Sequence, residues 1–270
     1  MHQLRVGIVD FLNSRPLAWG FLEGRHGDLI TATYHPPATV AQRLAEGSLD
    51  AGLIPSIEVP RIGGLDVVPG LCVSATHEVR SVLLVSRRPL ADVRRIALDA
   101  NSRTSAALTR ILAAERWGID PDYVEARPNV EAMLADADAA LLIGDPALQV
   151  DRERYLVVDL AAEWQALTGL PFVFAVWAVR PEAAARVPDL GAVFADSLRF
   201  GLDHLDDIVA RAASELSLPA HLVRTYLTEN LGYVLGEPER AGLDEFWRRA
   251  RVHGLIDDPV PAAVPAPAAG

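Results

Sequence analysis

The chain has no lysine: all 25 of its basic residues are arginine. That excludes lysine Schiff-base chemistry and a phosphate loop closed by lysine. Cysteine is reduced to Cys72, which lies in an apolar stretch, so no internal disulfide is available and a reducing compartment is expected. The seven histidines, at 2, 26, 35, 77, 204, 221 and 253, are scattered without metal-ligand spacing, so no metal centre is expected. No apolar run reaches the ~18 residues of a membrane span, and no membrane partner is expected. The start, Met1-His2-Gln3-Leu4-Arg5, lacks a leader pattern and enters an apolar segment at once, which points to a cytoplasmic protein. Glycine-rich nucleotide motifs and a Gly-x-Ser-x-Gly nucleophile elbow are also missing.

Half of the 270 residues are apolar, enough for one large or two modest cores. The net charge of −11 argues against a nucleic-acid surface. It does not argue against an anionic substrate, because donors inside a cleft act at shorter range than distant surface charge.

Two stretches repeat each other. Val6-Gly7-Ile8-Val9 breaks at Asp10 into Asn13-Ser14-Arg15, and Ile96-Ala97-Leu98-Asp99 breaks into Asn101-Ser102-Arg103, at an offset of 88 residues. Asp50-Ala51-Gly52-Leu53-Ile54 and Asp138-Ala139-Ala140-Leu141-Leu142 keep the same offset. A strand, a polar corner and a helix, used twice, predict two similar α/β lobes. If the lobes face each other, two helix starts meet at one cleft, a design for holding a small anion. The pattern predicts strands at 4–9, 30–34, 51–54, 67–73, 79–85, 96–98, 123–126, 139–143 and 172–179. Helices are expected at 38–46, 103–116 and 130–135, and the chain after Pro181 reads as helical with a loose Pro/Ala-rich tail. The expected division is residues 1–86 with 179–270 in lobe I and 87–178 in lobe II. Two crossings between the lobes form a hinge, as in the two-lobe type II periplasmic-binding-protein-like fold with a central cleft.

The candidate ligand groups lie at these corners. Asn13, Ser14 and Arg15 bring an amide, a hydroxyl and a guanidinium, although a turn with an N-cap would use the same residues. Ser102, Arg103, Thr104 and Ser105 place three hydroxyls and unpaired N–H groups at one helix start. Ser81 follows Arg80 where one lobe hands over to the other. Ser56, Gly144 and Asp145 follow the ends of matching strands, where open α/β sheets bind ligands. Asp145 either orients a substrate hydroxyl or forms a turn, and Glu58 is equally ambiguous. His77 is available as a base but reads more simply as a loop residue. Trp164 and Trp177 read as core, and residues 168–172 as a turn on the cleft wall.

Four ordered blocks carry a resemblance: Gly7-Ile8-Val9-Asp10-Phe11-Leu12-Asn13-Ser14-Arg15-Pro16-Leu17, Leu53-Ile54-Pro55-Ser56-Ile57-Glu58, Asp99-Ala100-Asn101-Ser102-Arg103-Thr104-Ser105 and Trp164-Gln165-Ala166-Leu167-Thr168-Gly169-Leu170-Pro171-Phe172-Val173-Phe174. Over residues 4–180 the chain resembles the chorismate dehydratases of the futalosine route to menaquinone. Phe11 departs from the tyrosine that family often carries, so a hydroxyl there is not essential here. The resemblance implies a lyase that removes water from chorismate to give 3-[(1-carboxyvinyl)oxy]benzoate, with no cofactor and a small-molecule substrate as its partner. It implies Asn13 and Ser81 as the catalytic contacts and Ser102, Arg103, Thr104 and Ser105 as a carboxylate site. It further implies that the substrate's own enolpyruvyl carboxylate takes the ring proton, which agrees with the absence of a convincing protein base. The alternative is a cytoplasmic solute-binding or effector-sensing module for an aromatic carboxylate.

Overall fold

The computed structural model describes residues 3–257. The predicted Pro/Ala-rich tail, the last dozen residues, lies outside the described residues. The strands are β1 (Leu4–Val9), β2 (Ile30–His35), β3 (Ala51–Pro55), β4 (Asp66–Ala75), β5 (Val82–Ser86), β6 (Arg95–Asp99), β7 (Asp122–Ala126), β8 (Ala139–Ile143), β9 (Leu156–Asp159), β10 (Phe172–Val179) and β11 (Gly232–Leu235). They form two sheets, ordered β11-β4-β10-β3-β1-β2 and β7-β6-β8-β5-β9.

The sequence repeat is a repeat of topology. In the first sheet β1 lies parallel to β2 and β3, and β10 closes the trio antiparallel to β3. In the second, β6 lies parallel to β7 and β8, and β5 runs antiparallel to β8. The strands β3 and β8 stand 88 residues apart, residue for residue. Each closing strand comes from the other side of the chain: β5 follows β4 of the first sheet, and β10 follows β9 of the second. Strand membership therefore differs from the expected lobe division, with residues 82–86 in the second sheet and 172–179 in the first. An apolar strand reads the same on either side of a crossing, so hydrophobicity alone does not place it.

Several elements depart from expectation; helices Gly144–Leu148 and Leu160–Thr168 are additional, and the strand expected at 79–85 begins at Val82. The helix predicted over 103–116 is regular only through Arg103–Leu112, then widens into a π turn, Ala113–Trp117, that stops at Gly118 with φ +64°. The strands β9 and β11 were not expected; each has only four residues, too short to show a clear period. Strand β11 covers the edge of β4, a position at which short strands are common.

The helices of the C-terminal third pack on the first lobe. Glu237–Val252 carries Glu237 and Glu239 in its first turn and Arg249 and Arg251 in its last, matching the helix dipole. The Glu239 carboxylate accepts the Gly236 N–H at 3.0 Å. Helix Leu190–Asp203 crosses helix Arg15–Leu22 closely. A Cβ on Gly20 would stand 2.7 Å from Ser197 Cα, and one on Gly201 would overlap the Pro16 carbonyl.

One apolar core runs through both sheets. At its centre Trp164, Phe172 and Phe246 meet edge to face, with ring centroids 5.3 and 4.9 Å apart. A smaller cluster, including Leu83, Val85, Met133 and Leu142, includes inward residues of the second sheet. Among the described residues no helix is long and apolar enough to cross a membrane.

Candidate active site

The two repeated corners converge on one cavity. It lies at the carboxyl ends of β1, β3 and β8, where a parallel sheet leaves strand-end groups open. Of the candidates from the sequence, Asn13, Ser81, Ser102, Arg103, Thr104, Ser105 and Gly144 line it. Asn101, the counterpart of Asn13, lines it too, so the duplicated asparagines share one space. Val9, Phe11, Leu53, Val73 and Phe174 make the remaining surface largely apolar.

Ser14, Arg15, Ser56 and Asp145 build the walls instead. The Ser14 hydroxyl donates within its own corner, to the carbonyls of Val9 and Phe11. Arg15 turns away to Glu215, at 2.6 Å. The Ser56 hydroxyl donates to the Val173 carbonyl at 2.7 Å. The Asp145 carboxylate accepts the Leu12 N–H at 3.1 Å, a bond from the second lobe to the first corner. Burial pushes the Asp145 carboxyl above its usual range, and this hydrogen bond offsets part of the effect. Next to it Gly144 is required twice over: its φ is +64°, and a Cβ would stand 2.9 Å from the Phe11 ring.

The helix Arg103–Leu112 faces the cavity with its N-terminus. The N–H groups of Arg103, Thr104 and Ser105 have no partner within the helix by its geometry. Ser102 stands at its N-cap position, but its hydroxyl makes no capping bond and is buried without a partner. An unpaired buried hydroxyl costs about 1–3 kcal/mol, which a bound acceptor would recover. Thr104 accepts the Ile57 N–H at 3.3 Å and so ties the lobes together.

Among the described residues Arg103 is the one charged residue on the cavity lining. Its guanidinium lies 2.5 Å from Glu58, which also holds Arg61 at 2.9 Å. The ambiguity at Glu58 is resolved: it is a buried anchor for two arginines rather than a group exposed to the cavity. Among the described residues neither His77, which is exposed, nor any carboxylate lines the cavity.

Ser81 is held by long-range bonds that its neighbours do not announce. Arg80, with φ +65°, sits in the left-handed region that disfavours a side chain. The Asp159 carboxylate holds that bend by accepting the N–H groups of Val79 at 3.2 Å and Arg80 at 2.7 Å, while capping helix Leu160–Thr168. Burial raises the Asp159 carboxyl above its usual range, against the pull of these four N–H donors. The Ser81 carbonyl accepts the Gly144 N–H at 2.8 Å. Its hydroxyl accepts from the fully buried Tyr226 phenol at 2.7 Å. Sequence reasoning missed both Asp159 and Tyr226; each lies about eighty residues or more from Ser81, and no local pattern marks them.

Among the described residues no group of three or more His, Cys, Asp or Glu is placed to hold a metal ion. The arrangement can receive a compact anion with apolar flanks, align it with neutral donors and shut out water.

The fold and the cleft define a two-lobed protein of the periplasmic-binding-protein-like class. The periplasmic aliphatic sulphonate binding protein of Escherichia coli superposes with a TM-score of 0.67 at 18% identity, over 96% of this chain and 95% of that one. A protein from Archaeoglobus fulgidus superposes with a TM-score of 0.75 at 18% identity, over 94% and 99% of the two chains. The chain belongs to the menaquinone-biosynthesis family, whose model matches residues 4–252. It is 32% identical over 230 residues to the chorismate dehydratase of Thermus thermophilus, covering 78% of this chain and 83% of that protein.

Proposed function

We propose that the chain is a chorismate dehydratase, a carbon–oxygen lyase acting in menaquinone biosynthesis. The observation that carries the reading is the cavity lining: abundant neutral donors, one arginine already paired with Glu58, and no group fit to be a base. Such a site suits a substrate that brings its own base. Similarity to a chorismate dehydratase over most of the chain supports the same reading.

In the proposed reaction, the ring C–H bond breaks and its proton passes to the substrate's enolpyruvyl carboxylate. The electron pair forms a ring double bond as the C–O bond to the ring hydroxyl breaks. That hydroxyl takes the same proton from the enolpyruvyl carboxyl and leaves as water, so the carboxylate is restored. Substrate and product differ by one water, so no electrons are exchanged and the reading assigns no cofactor. Asn13 and Ser81 would contact the reacting ring. The N-terminus of helix Arg103–Leu112, with Ser102 and Ser105, would hold a carboxylate. The protein contributes orientation and exclusion of water.

Incubating the purified protein with chorismate and following 3-[(1-carboxyvinyl)oxy]benzoate by chromatography tests the proposal. Tight binding of chorismate without product would favour the solute-binding alternative instead.

A further inference from the structure

We propose that Tyr226 is the positioning residue of this site: buried behind Ser81, its phenol fixes the Ser81 hydroxyl as a hydrogen-bond donor to the substrate. The inference rests on the chorismate reading. Tyr226 lies behind the cavity wall, 1% exposed, and begins a wide π turn, Tyr226–Asn230, of the kind that often marks functional positions. The turn is anchored at both ends to the segment that carries Ser81. Tyr226 bonds Ser81 itself, and the Asn230 amide donates to the Glu78 carbonyl at 3.0 Å.

A phenol has one hydrogen, and here it goes to Ser81 Oγ at 2.7 Å. The Ser81 oxygen thus accepts from behind, and its own hydrogen is left to give toward the cavity. Tyr226 and Ser81 form a chain of donors that ends at the substrate. Burial raises the phenol above its usual range, so it is a neutral donor at neutral pH. Removing the phenol hydroxyl frees the Ser81 rotor to point its hydrogen elsewhere. No proton is transferred through the chain: Ser81 stabilises the charge that develops on the substrate, and the proton moves as described for the substrate itself.

The test compares wild type, Tyr226→Phe, Ser81→Ala and the double variant with chorismate as substrate. Rates are normalised to folded protein measured by circular dichroism. The expected result is a kcat at least tenfold lower in Tyr226→Phe, with KM within threefold of wild type. The double variant should be no more than twofold slower than Ser81→Ala, because Tyr226 acts through Ser81. A wild-type kcat in Tyr226→Phe, losses that multiply in the double variant, or a Tyr226→Phe protein that does not fold would each overturn the role. If the wild type is inert toward chorismate, the functional proposal above fails. The positioning role is then read from equilibrium binding of chorismate: the same non-additive loss upholds it, while additive loss, no loss or no binding by the wild type overturns it.

Discussion

At the scale of single residues, the site depends on which polar groups remain free after folding. Asn13 and Ser81 face the cavity, and Ser81→Ala or Asn13→Ala should lower turnover at least tenfold, about 1.4 kcal/mol of barrier. The exposed His77 makes the contrast: His77→Ala should leave the chorismate rate unchanged, and a lost rate would restore a protein base. Asp145 gives a pH-dependent prediction. Its buried carboxyl has a raised pKa, so its favourable contribution is complete below the unfolded value of 3.8 and is lost as pH rises through the folded value. Asp145→Asn keeps an acceptor for the Leu12 N–H without the charge. The melting temperature of Asp145→Asn relative to wild type should therefore climb as pH rises from the ordinary carboxylate range toward neutrality. A difference constant with pH would refute this assignment. Asp145→Ala instead leaves that N–H unpaired and should cost about 1–3 kcal/mol in urea unfolding.

At the scale of elements, the repeat was legible because it is local: a strand, a corner and a helix carry their own period and breakers, whatever packs on them. Where elements are short or break period, the sequence was silent. The four-residue β9 and β11 are examples, as is the π turn after Leu112. Close helix crossings were equally hidden, since a glycine within a helical pattern does not name its neighbour. The crossing of helices Arg15–Leu22 and Leu190–Asp203 predicts that Gly201→Ala, which drives a methyl into the Pro16 carbonyl, destabilises the fold by about 1–3 kcal/mol. Gly24→Ala, where a Cβ meets nothing within 4 Å but φ is +82°, should cost only about 1 kcal/mol of backbone strain. Equal losses in the two variants would show that the crossing is not tight.

At the scale of the whole molecule, the two lobes are joined by more than their crossing segments. The main core is continuous through both sheets, and Leu12–Asp145, Ile57–Thr104 and Arg103–Glu58 bridge the lobes around the cavity. Any opening that admits substrate must break some of these bridges while leaving the shared core packed. A ligand that fills the cavity should then stabilise the entire chain. Product, 3-[(1-carboxyvinyl)oxy]benzoate, at one hundred times its Kd should add about 2.7 kcal/mol to unfolding as a single transition. Two separate transitions, with only one of them shifted, would contradict a common core.

The sequence by itself determined the repeat, the two-lobed α/β architecture and the corners at which a ligand is met, because hydrophobic period, turn residues and duplication are written over short stretches. Tertiary structure decided which of the corner groups are free. Ser14, Ser56 and Asp145 have sequence contexts like those of Ser102 and Ser81, yet their polar atoms are engaged by carbonyls and an N–H that folding brings to them. It also decided that Tyr226 stands behind Ser81, 145 residues away in the chain. Hydrogen bonds between distant segments form only where the backbone has already been placed, so no local pattern foretells them.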